Sequence, residues 1–157
     1  MSIAIASKPT GYTIIEMLVV MAVLSVLATL ALPLAELAAK RSKERELRAA
    51  LWEIRQAIDR YKQASDEGRI AISYGASGYP KSLSELVDGV RDQKSGTTLY
   101  FLRRIPTDPM STTEQDGTWL LRSYQSSADN PQPGSDVYDV RSRSAGIGIN
   151  GVPYAQW

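Results

Sequence analysis

Glu16 is the only charged residue between Gly11 and Ala35, set near the start of a run that is otherwise almost wholly apolar. Insertion scales charge about 2.5–3.5 kcal/mol for an aspartate at the centre of a membrane helix, and less near an end. A carboxylate is tolerated there when it finds a partner, or when it lies at headgroup depth and stays hydrated. The residues alone leave both open. Other chemistry is narrowly bounded. The chain has no cysteine and no histidine, which excludes cysteine nucleophiles, serine–histidine triads and the usual zinc sites. Acid–base work would fall to Asp, Glu, Lys or Tyr. No carboxylate pair stands out from ordinary surface charge, so no catalytic residue and no metal ligand is assigned.

The elements that would position Glu16 are legible. The chain has 157 residues, 43% hydrophobic and 22% charged, the size of one domain or a small domain with an appendage. Its net charge is +1, from 18 basic and 17 acidic residues, and gives no global field toward nucleic acid. Without cysteine there is no disulfide framework. Three zones follow one another: 1–11, short and carrying only Lys8; 12–39, the apolar run; and 40–157, water-soluble in composition. As a helix, Ile14 to Leu37 would span roughly 35 Å, slightly more than a bilayer core.

The helical pattern continues past the apolar run. Leu47, Leu51, Ile54, Ile58 and Tyr61 recur at steps of three and four, with Ala50 and Ala57 beside them, and predict one apolar stripe. Lys43, Glu44, Arg48, Arg55, Asp59 and Lys62 fall on the other face, with Glu44 and Arg48 in the favourable i,i+4 order. Gly68 is the expected stop. A continuous helix from Ile14 to Ser65 would be roughly 78 Å long, with a kink expected at Pro33, which has no N–H for the carbonyl of Thr29.

Beyond Gly68 the signals are those of a compact α+β domain. Ser73 to Pro80 is loop. Ser82 and Glu85 have capping-box spacing, predicting a short helix from Leu83 to Asp88 ended by Gly89. "RDQKSGTT" is loop, and "LYFLRRIP" is short, aromatic and apolar. Thr118 to Tyr124 and Asp136 to Ser142 have strand-like content. So few short strands need a partner surface, and the stripe from Leu47 to Tyr61, with Trp52 nearby, is the candidate.

Residues 1–39 admit three readings. A cleaved secretory signal has an apolar core of about 7–15 residues, shorter than this one. A plain signal anchor explains the length but gives Glu16 no task. The third rests on resemblance. "KPTGYTIIEMLVVMAVLSVLATLALP" resembles the N-terminal signature of type IV pilins and type II secretion pseudopilins. The resemblance implies a leader cut after Gly11 by a membrane prepilin peptidase, and N-methylation of the new first residue, Tyr12. Tyrosine replaces the family's usual phenylalanine. Glu16 falls on the family's glutamate, and Thr13 and Pro33 also fall on matching positions. Cleavage would turn the Tyr12 nitrogen from an amide into a cationic amine. Glu16 could then pair with that amine in its own or a neighbouring subunit, as a register device for packing identical helices.

The downstream segments "GYPKSLSELVDG", "YFLRRIPTDPM", "DVYDVRSRS" and "NGVPYAQW" resemble the major pseudopilin family of type II secretion. That resemblance implies a pilin-like fold, with the second half of the helix packed on a small antiparallel sheet. It implies a subunit, not an enzyme, that polymerises with itself and other pseudopilins into a periplasmic filament. Assembly would use an inner-membrane platform with a cytoplasmic ATPase. A minor pilin of a type IV pilus, a subunit of a DNA-uptake filament and a membrane-tethered domain that never polymerises are the alternatives. The family also implies calcium in the C-terminal loop. No Asp or Glu follows Asp139, and Asp129, Asp136 and Asp139 form no known loop motif, so no cofactor is expected. Tyr138, Tyr154 and Trp157 are then expected to hold the loop. Topology is in conflict. Lys40, Arg41, Lys43, Arg45 and Arg48 follow the apolar run and only Lys8 precedes it, which on charge alone puts the domain in the cytoplasm. The resemblance puts it in the periplasm, beyond a single inner-membrane span.

Overall fold

The computed structural model describes residues 11–111 and 119–157. Residues 1–10 of the expected leader (1–11), with Lys8, and Thr118 of the expected strand lie outside the described residues. A single helix, α1, runs from Ile14 to Asp66 with Pro33 inside it. The chain divides between Ala39 and Lys40 into two compact units.

In the first unit every described side chain from Gly11 to Ala39 is exposed. Among the described residues of this unit the helix is the one element, and apart from Glu16 and Glu36 its side chains here are uncharged. Its two described hydroxyls are satisfied within the helix: Ser25 donates to the Met21 carbonyl at 2.8 Å, and Thr29 to the Ser25 carbonyl at 2.9 Å. The segment therefore presents an apolar surface with few unmet polar groups, and α1 is long and apolar enough to cross a membrane.

The second unit is built on the C-terminal half of α1. Leu47, Leu51, Ile54, Ala57, Ile58 and Tyr61 are all buried, as the periodicity requires. The helix ends in a Schellman motif at Gly68 (φ 70°): Arg69 N–H reaches the Ala64 carbonyl and Gly68 N–H the Ser65 carbonyl, each at 2.9 Å. Trp52 corrects the sequence expectation. It is 66% exposed and takes no part in the core, because its position faces away from the Leu47–Tyr61 stripe.

Among the described residues, one short α-helix and two separate two-stranded antiparallel sheets lie against this stripe, rather than one sheet. Helix α2 spans Ser84–Asp88. The expected capping box does not form there: Glu85 accepts the Lys81 N–H at 2.8 Å, and the Ser82 hydroxyl bonds to that of Ser84. Strands β1 (Val90–Arg91) and β2 (Thr98–Leu99) form a hairpin inside the segment expected to be loop. Of "LYFLRRIP", only Leu99 is in a strand. Strands β3 (Trp119–Arg122) and β4 (Asp139–Ser142) pair with Leu121 opposite Val140. Trp119, Val140 and Ser142 point inward. The buried Ser142 hydroxyl donates to buried Asp108 at 2.6 Å, which ties β4 to the loop before the undescribed segment.

The β1–β2 turn is organised by Asp92, 1% exposed. Its Oδ2 accepts Arg69 Nε at 3.0 Å and Nη2 at 2.8 Å, and its Oδ1 accepts the Lys94 N–H at 2.9 Å. These bonds, Arg69 first, hold the Asp92 carboxyl well below the ordinary value of 3.8. A depressed carboxylate stabilises the fold above its unfolded-state value and loses that contribution as pH falls toward the folded value. Acid titration of the full chain in detergent is therefore expected to erode stability below about pH 4. Asp92→Asn is expected to be less stable at neutral pH and to show a flatter acid limb. An unchanged acid limb in this variant would assign the acid sensitivity to other carboxylates.

Candidate functional site

The residues singled out at the N-terminus lie together at the start of α1. Gly11, Tyr12 and Thr13 are exposed and precede the first helical residue, Ile14, so the Gly11–Tyr12 peptide lies just outside the helix. Thr13 and Glu16 form a reciprocal capping box: Thr13 N–H donates to Glu16 Oε2, and Glu16 N–H to Thr13 Oγ1, each at 3.3 Å. This local role of Glu16 was missed from the sequence, although Thr-x-x-Glu before an apolar run is its signature. The carboxylate also faces the positive end of the helix dipole. Among the described residues, Oε1 accepts no side-chain or backbone bond. Pro33 lies inside α1, 20 residues beyond Thr13.

A second constellation joins α1 to the C-terminal loop. Glu44 was expected on the solvated face, paired with Arg48. It is instead 4% exposed, and its Oε1 accepts the Ile149 N–H at 2.7 Å and the Tyr154 hydroxyl at 3.0 Å. The reason is geometric: position 44 lies one turn before Leu47, at the edge of the buried stripe, where the incoming loop covers it. Arg48 turns to Trp157, its guanidinium 4.4 Å from the ring centroid. Arg55, half-buried, donates to Asp139 Oδ1 at 2.8 Å, to the Val140 carbonyl at 3.1 Å and to the Trp157 carbonyl at 2.8 Å. Tyr154 packs edge-on against Trp157 with centroids 5.1 Å apart. Burial, then the bond to Glu44, pushes the Tyr154 hydroxyl up to about 12.

Tyr138 belongs to a separate cluster with Tyr79 and Tyr124, under Arg122. The three carboxylates weighed for calcium have different tasks. Asp136 accepts the Ser77 hydroxyl at 2.5 Å and the Tyr124 N–H at 2.8 Å, Asp139 holds Arg55, and the Asp129 N–H bonds to Ser127. Among the described residues no three acidic groups gather as a metal site.

No curated protein and no solved structure matches the chain. The N-terminal segment does match a family model, that of the prokaryotic N-terminal methylation motif, over residues 7–32. That interval contains Gly11, Tyr12, Thr13 and Glu16 and most of the uncovered apolar helix, so the chain carries a type IV pilin-like prepilin signal.

Proposed function

We propose that this chain is a structural subunit of a periplasmic pseudopilus of a type II protein secretion system. The carrying observation is an apolar helix whose described side chains up to Ala39 are exposed and whose first turn carries Glu16, within the segment that matches the methylation motif. In this reading a prepilin peptidase cuts after Gly11 and Tyr12 is methylated. The subunit waits in the inner membrane with its C-terminal domain in the periplasm. A platform with a cytoplasmic ATPase then draws it into a filament of itself and other pseudopilins. The non-helical Gly11–Thr13 segment suits the cleavage, since a peptidase needs the scissile bond free of helical hydrogen bonds. The new amine at Tyr12 then pairs with the Glu16 carboxylate, in its own subunit or the next.

The test is the intact mass and N-terminal sequence of the protein from its native membranes. A chain starting at Tyr12 with one added methyl group is expected; a chain starting at Met1 in a processing-competent host would overturn the proposal. Glu16→Ala is expected to be cleaved normally while filament yield falls about tenfold or more, the equivalent of an interaction of about 1.4 kcal/mol. Glu16→Gln keeps an acceptor for the Thr13 cap but loses the charge. It is expected to assemble as poorly as the alanine variant, and normal filaments from it would reduce Glu16 to a helix cap.

A further inference from the structure

In the second unit, α1 carries two charged flanks that its own fold leaves facing outward. Arg41, Arg45, Arg48 and Trp52 follow at steps of four, three and four, and all are exposed. At about 100° per residue they share one stripe about 60° wide. Glu46 and Glu53, also exposed, form a second stripe about 120° around the helix. Among the described residues the ion pairs engage none of these charges. Glu46 accepts only the Ser42 hydroxyl, at 3.4 Å, and Arg48 rests on the Trp157 ring.

The two stripes have the same interval. Arg41 and Arg48 are seven residues apart, as are Glu46 and Glu53, which is about 10.5 Å along the axis. A helix with opposite charges at equal intervals on its two flanks is complementary to a parallel copy of itself. A displacement of five residues, about 7.5 Å, brings both glutamates of one copy beside both arginines of the next. The contact is heterologous. The pair still offers one free basic flank, on one copy, and one free acidic flank, on the other, so it propagates as an open helical array rather than closing. Trp52, in the basic stripe, is the kind of exposed aromatic that such a contact covers.

We infer that Arg41 and Arg48 of one copy and Glu46 and Glu53 of the next form a lateral contact that sets the axial register between parallel copies of α1. This rests on the filament reading above and specifies how its subunits meet outside the apolar segment.

The chain's lack of cysteine makes the test clean. The full chain carrying Arg48→Cys and Glu53→Cys is oxidised in the membranes of a host that assembles it. Positions five apart on one helix diverge too far for a bridge within a chain. A ladder extending beyond dimers is expected, whereas dimers alone, or no products, would overturn the contact. In parallel, Val20→Cys joined by a long flexible bismaleimide reports association of the apolar helices whatever their register. Products from Val20→Cys without the ladder leave the filament reading standing and remove this inference; absence of both removes the two together. Charge reversal gives a second readout. R41E/R48E and E46K/E53K are each expected to lower filament yield about tenfold or more, since they set like charges against each other. The fourfold swap, which restores complementarity between copies, is expected to recover it. A swap that stays as low as its halves, as when the basic stripe faces anionic lipid or nucleic acid, would overturn the inference.

Discussion

Glu44→Ala is expected to lower the unfolding free energy of the full chain in detergent by about 3 kcal/mol. Each hydrogen bond to a charged acceptor is worth about 1.5–3 kcal/mol, and the variant leaves the Ile149 N–H and the Tyr154 hydroxyl without their acceptor. Glu44→Gln retains one acceptor oxygen and is expected to lose about half as much. Tyr154→Phe removes one bond only, so a double-mutant cycle with Glu44→Gln isolates the pair. Urea denaturation followed by tryptophan fluorescence measures each. A loss under about 1 kcal/mol for Glu44→Ala would mean that water replaces the carboxylate and the latch is not structural. The alkaline limb gives an independent reading. Tyr154 titrates at about 12 in the fold, against its ordinary 10.0. A hydroxyl raised in this way supports the fold fully below pH 10 and loses that support as pH rises toward 12. Glu44→Gln removes the carboxylate's share of that shift, so the alkaline loss is expected to be shallower.

Ile54→Ala is expected to cost about 2–5 kcal/mol, and Ile54→Val about 0.5–1.5 kcal/mol. Ile54 is 0% exposed and lies in the core cluster with Leu47, Leu86 and Val140, so its truncation leaves a cavity among buried side chains. Trp52→Ala, two residues earlier on the exposed face, is expected to change stability by less than about 0.5 kcal/mol. The pair is a direct test of the helix orientation: equal losses at 52 and 54 would mean that the buried stripe has been assigned to the wrong face. If Trp52 serves contacts between copies, its replacement is expected to show in filament yield and not in the melting of the isolated chain.

The sequence made the buried face of α1 legible because burial on a helix follows a fixed period. Leu47, Leu51, Ile54, Ile58 and Tyr61 needed no tertiary information to be grouped. Gly68 was legible for a similar reason, since a positive φ at a helix end favours glycine whatever surrounds it. The cap at Thr13 and Glu16 was equally local and was open to reading. The apolar run drew attention instead to partners outside the chain.

What failed was long-range. Glu44 looked like one more surface charge because nothing within a few residues announces a loop arriving from 105 positions away in the chain. The hairpin of β1 and β2 was invisible because two-residue strands carry too little alternation to register as a period, and Asp92 with Arg69 organises their turn more than apolar patterning does. Ser82 and Glu85 had the spacing of a capping box, yet the tertiary fold drew Glu85 toward Lys81 and the hydroxyl of Tyr61 instead.

By itself the sequence determined the division of labour along α1. One half is almost wholly apolar, with carboxylates only at Glu16 near its start and Glu36 near its end, and the other is amphipathic, because hydrophobic content and its period are properties of consecutive residues. Only the tertiary structure decided which charges of the amphipathic half are spent inside the fold. Glu44 and Arg55 are taken by the C-terminal loop and β4, while Arg41, Arg45, Glu46 and Glu53 are left outward. The period tells which way a side chain points from its helix, but burial also requires another segment to arrive at that point, and that arrival is set by contacts far apart in the chain.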